Sequence, residues 1–110
     1  MTTSLLQLPA DWHLKNELLL LLFMRDGSGT SQMMQGHLDE VLGDYDGEVV
    51  AYGIDEDRQP GMFEEFRISR VPTLFVVHCG KILRQFVGLF PLAELKKFVA
   101  DCVPRVFSCH

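Results

Sequence analysis

Leu18 to Met24 is an unbroken apolar run of seven residues containing five consecutive leucines. It is too short to cross a bilayer, which takes roughly 20 apolar residues. Its flanks do not read as a secretory signal either. Asp11 and Glu17 stand where a basic segment belongs, and Arg25-Asp26 follows where small residues should mark cleavage. A short apolar run bounded by charged and turn-forming residues reads as a β-strand buried on both faces. Such a strand needs helices above and below its sheet, so the run by itself points to an α/β fold.

The rest of the chain supplies those layers. Pro9 to Lys15 can form a short helix with Trp12 inward. Asp26 to Ser31 is a turn cluster that also offers helix caps. From Thr30 to Tyr45 the apolar residues Met33, Met34, Leu38, Val41, Leu42 and Tyr45 recur at helical spacing, and Gly47 follows as a stop signal. Glu48 to Ile54 reads as a second strand. Pro60 opens a short helix with Met62, Phe63 and Phe66 inward, and Pro72 starts the strand Thr73 to Val77. Cys79-Gly80 turns the chain into Lys81 to Val87, a hairpin expected to add antiparallel edges. Pro91 then opens a last helix that buries Leu92, Leu95, Phe98, Val99 and Cys102. The order predicts a central mixed sheet flanked by helices on both faces. At 110 residues the chain is expected to form one domain, with a core over about 8–103 and a short tail over 104–110.

Charge and cysteine usage narrow the function. Fifteen acidic against ten basic side chains give a net charge of −5, with no basic cluster dense enough for nucleic acid or an anionic membrane. Cys79, Cys102 and Cys109 are too few and too unevenly spaced for a secreted disulfide framework or a four-ligand zinc site. No metal or cofactor is expected, and a reducing, cytoplasmic setting is the default.

Arg70-Val71-Pro72-Thr73-Leu74 resembles the Gly-Ile-Pro-Thr-Leu segment of the thioredoxin family, whose proline follows a cis bond. Pro60-Gly61, Gly80-Lys81, Val87-Gly88, Leu95 to Phe98, Phe23, Asp39-Glu40, Tyr45 and Gly47 fall in the same register without a gap. The resemblance implies a thioredoxin-like fold. It also places Gly27-Ser28-Gly29-Thr30-Ser31 where the family carries Trp-Cys-Gly-Pro-Cys. Leu22 then stands at the family's buried aspartate, Gly53 at its partner lysine and Gly36 at its helix-kinking proline. Dithiol exchange needs an attacking thiolate, a resolving sulfur and a proton acceptor, and a helix N-terminus cannot make serine replace them.

Two functional classes follow. The first is a redox-inactive protein-binding or chaperone-type domain that takes an extended client segment along Ser28, Gly29, Thr30, Ser31, Arg70, Val71, Pro72, Gly88 and Leu89. It resembles the thioredoxin-like hydrogenase-maturation proteins over Gly88 to Leu95. The second is a thiol-disulfide oxidoreductase using a non-standard cysteine such as Cys79, beside His78. Weak homodimerisation is a third reading. His13 and His37 read as solvated or capping groups on helix faces.

Overall fold

A computed structural model describes residues 10–14, 17–25, 29–45 and 49–103. After a 3₁₀ turn at Trp12–Leu14, the elements are β1 (Leu18–Met24), α1 (Gly29–Leu42), β2 (Val49–Asp55), α2 (Pro60–Glu65), β3 (Thr73–His78), β4 (Lys81–Val87) and α3 (Leu92–Cys102). The sheet order is β2-β1-β3-β4. β1 runs parallel to β2 and antiparallel to β3, and β4 is antiparallel to β3.

The leucine run is the centre of the molecule because alternate residues serve different cores. Leu18, Leu20 and Leu22 pack with Met34, Leu38 and Val41 of α1 and with Leu95 and Val99 of α3. Leu19, Leu21 and Phe23 face the other way, with Phe63 of α2, Phe75, Val77 and the partly buried Trp12, Met62 and Phe66. All of Leu18 to Phe23 are fully buried. A buried leucine contributes about 1.5–3 kcal/mol, so this strand anchors both layers.

Three features depart from the sequence-based expectations. The Lys81–Val87 hairpin contributes a single edge, because β3 lies inside the sheet between β1 and β4. Leu74 to Val77 are buried on both faces, which an interior position requires. Helix α1 closes at Leu42, short of Tyr45, as Asp44 and Tyr45 donate three residues back to Val41 and Leu42. Gly47 falls outside the described residues. A register shift between Val76 and Val77 also puts a bulge in the β3–β4 ladder.

Candidate functional site

The end of β1 collects the segments of interest. Phe23 faces Thr73 across the antiparallel β1–β3 pair, so Pro72 continues alongside Met24. The Val71–Pro72 bond is cis, and the Pro72 carbonyl accepts the Gly88 N–H at 2.7 Å. Gly88 has φ +85°, a left-handed conformation that glycine adopts without steric cost. Thr73 Oγ1 donates to the Arg70 carbonyl at 2.6 Å, closing the turn before β3. Met24 is held from both sides: its carbonyl accepts from Glu56 N–H, and its sulfur from Gln35 Nε2. Beside it, Arg25 Nε donates to Glu56 at 2.6 Å, and that carboxylate holds the exposed guanidinium above its ordinary pKa.

The sequence-derived residues divide as follows. Arg70, Val71, Pro72, Gly88 and Leu89 come together around the Pro72–Gly88 hydrogen bond, with Pro72 buried, Val71 half-buried and Leu89 41% exposed. Gly29 and Thr30 open α1 and are exposed, whereas Ser31 faces inward and is buried. Ser28 lies outside the described residues. Leu22 and Gly53 are register partners in the β1–β2 pair, with Leu22 fully buried beneath α1. The two positions that the resemblance assigns to a carboxylate and a lysine are thus neighbours, and here they form an apolar pair.

Cys79 is elsewhere. It sits in the turn where His78 pairs with Lys81, at φ +54°, and is disulfide-bonded, with His78 Nε2 3.3 Å from its sulfur. The six residues of β3 separate it from Pro72, about 20 Å at the usual rise per residue. Cys102 is half-buried against the α1–α3 core. Among the described residues no group of three or more His, Cys, Asp or Glu side chains is arranged to hold a metal ion. No helix among them is long and apolar enough to cross a membrane.

Sequence reasoning missed His37. Its Nδ1 lies 2.9 Å from the Phe90 carbonyl, and the Phe90 N–H donates to Met34 Sδ at 3.2 Å. The three-residue spacing of Met34 and His37 puts both on one helix face, but their common target is 53 residues or more away in sequence.

Comparison with known proteins agrees with this geometry. The sequence model of the family described as Thioredoxin matches residues 10–101. The chain is 28% identical over 69 residues to thioredoxin 2 of Chlorobaculum tepidum, covering 63% of each protein. It is 29% identical over 85 residues to thioredoxin of Staphylococcus haemolyticus, covering 77% of this chain and 82% of the other. Mitochondrial thioredoxin 3 of Saccharomyces cerevisiae, solved in its oxidised form, superposes with a TM-score of 0.77. That match covers 89% of this chain and 95% of the other at 23% identity, a likeness of fold.

Proposed function

The chain belongs to the thioredoxin family, and from that premise we propose that it is a protein-binding domain without dithiol chemistry at the usual site. Its client is an extended polypeptide segment lying against Arg70-Val71-Pro72 and Gly88-Leu89. Main-chain pairing to the Arg70-Val71 backbone supplies affinity, and the apolar rim of Val71 and Leu89 selects side chains.

The observation that carries this reading is the chemistry behind the first turn of α1. Thr30 and Ser31 offer hydroxyls, and Leu22 fills the space beneath with an apolar side chain opposite Gly53. The three cysteines of the chain are Cys79, Cys102 and Cys109, and Cys79 lies at the far end of β3. A serine hydroxyl forms no mixed disulfide, and a leucine accepts no proton.

Two measurements test it together. Random extended peptides selected for binding to the wild-type chain should lose binding to both Leu89→Asp and Val71→Asp. Insulin reduction by the wild-type chain with dithiothreitol should match the rate of dithiothreitol alone. A rate enhancement that disappears in Cys79→Ser would replace this reading with the thiol-disulfide oxidoreductase.

A further inference from the structure

Val71 carries an unused pair of backbone groups. It precedes a proline, which holds its backbone extended, and in an extended residue the N–H and C=O point to the same side. The groups on either flank are taken. Pro72 has no N–H and accepts from Gly88 on its C=O, and the Arg70 C=O accepts from Thr73 Oγ1. The N–H and C=O of half-buried Val71 have no partner among the described residues. Charge is divided as unevenly. Arg25 is committed to Glu56 at 2.6 Å, whereas Arg70 is exposed and pairs with no carboxylate among the described residues.

We propose that the client segment carries an apolar residue followed directly by an aspartate or glutamate, and that Arg70 selects the acid. This rests on the client-binding reading of the same site and names the chemistry of its partner. One free N–H and one free C=O on a single residue match a hydrogen-bonded antiparallel pair, in which two facing residues exchange both bonds. The client residue facing Val71 then meets the apolar rim of Val71 and Leu89. Because the two segments run in opposite directions, the residue facing Arg70 is the next one toward the client's C-terminus. Facing residues have Cβ atoms about 4.5–5.5 Å apart, so a carboxylate at that position reaches the guanidinium and an ammonium is repelled. The chain's net charge of −5 opposes an acidic client, but at physiological salt charges beyond about 8 Å are largely screened. Glu56, the carboxylate bonded to this end of β1, is already paired with Arg25.

The test uses short serine–threonine peptides with a central Leu-Glu, Leu-Gln, Leu-Lys or Glu-Leu. Fluorescence anisotropy at about 0.15 M salt should rank Leu-Glu above Leu-Gln and Leu-Gln above Leu-Lys. Each step should be up to about fivefold in Kd, the worth of one exposed cross-strand charge pair. At about 1 M salt, where the Debye length is about 3 Å, the three should converge. Arg70→Glu should reverse the order of Leu-Glu and Leu-Lys, and Arg70→Lys should keep it. Both variants should unfold near the wild-type urea midpoint, because the exposed side chain is in no ion pair. Glu-Leu should bind more weakly than Leu-Glu, since it puts the acid on the side away from Arg70. Equal binding of Leu-Glu and Leu-Lys to the wild-type chain, with both lost in Val71→Asp, overturns the selection of an acid and leaves the client-binding reading standing. Equal binding of Leu-Glu and Glu-Leu overturns the antiparallel order. Failure of all four peptides to bind removes the client-binding reading and this inference with it.

Discussion

His37 on α1 hydrogen-bonds to the carbonyl of Phe90, with 2.9 Å between Nδ1 and oxygen. A carbonyl can only accept, so the imidazole carries its proton on Nδ1 in this contact. One turn earlier, Met34 takes the Phe90 N–H on its sulfur. Both polar groups of one peptide residue are thus held by a single helix. Phe90 in turn stacks on Phe86, with ring centroids 4.1 Å apart. The segment that carries Gly88 and Leu89 is fixed against α1 by side chains that the family resemblance does not mark.

Replacing His37 with alanine should lower stability by about 0.5–1.5 kcal/mol, the usual net worth of one hydrogen bond. The effect should appear as a lower urea midpoint with an unchanged slope. Amide exchange should accelerate at Leu89 and Phe90 and stay as in wild type in β1. Uniform acceleration through the sheet would mean that His37 supports the whole fold and does not act locally on this segment.

Phe23 gives the clearest core prediction. It is fully buried and touches the rings of Phe63, Phe66 and Phe75, with centroids 5.1 to 5.5 Å away. Phe23→Ala should cost about 3–5 kcal/mol. Phe23→Leu should cost less, because leucine keeps most of the volume while losing the edge-to-face contacts. Thermal unfolding of the two variants should rank them in that order.

Arg67 closes α2 in a left-handed conformation, φ +55°, with its N–H on the Glu64 carbonyl and the Ile68 N–H on Phe63. This is the Schellman arrangement, in which glycine is the usual occupant, while a side chain there pays roughly 1–2 kcal/mol. Against this, glycine costs more backbone entropy in the unfolded chain. Arg67→Gly should therefore raise stability by up to about 1 kcal/mol, and Arg67→Val should lower it. Melting curves of the pair decide the matter, and a destabilised glycine variant would contradict this backbone reading.

Much of this architecture was legible because its signals are local. The leucine run, the prolines at 60, 72 and 91, and the spacing of Leu95 and Val99 each bound an element without help from distant residues. The interior place of β3 was harder to read. Thr73 to Val77 looks the same next to a loop or next to β1 until the partner strand is known. His37, Arg67 and the bulge at Val76–Val77 depend on contacts or dihedrals that no pattern of apolar residues encodes. At the site, Leu22 and Gly53 were identified by resemblance alone, and only the β1–β2 register shows that they face each other.

That pair supports a prediction with a defined pH sign. Leu22 is fully buried among apolar neighbours, so Leu22→Asp places a carboxyl in a dry site. In the unfolded chain it titrates near about 4, and in the folded chain burial pushes its pKa up. Below about pH 4 both states hold the proton, so no charge is buried. As pH rises, the unfolded state ionises first, and stability falls until the folded carboxyl also ionises. At neutral pH the variant should be at least about 3 kcal/mol less stable than wild type, because an unpaired charge is buried. At pH 4 the deficit should be smaller. Adding Gly53→Lys puts an ammonium in register with the new carboxylate and should recover part of the neutral-pH loss, which a double-mutant cycle in urea would measure. A Leu22→Asp deficit that does not vary between pH 4 and pH 8 would mean that residue 22 reaches solvent, and the dry floor beneath the first turn of α1 would not exist.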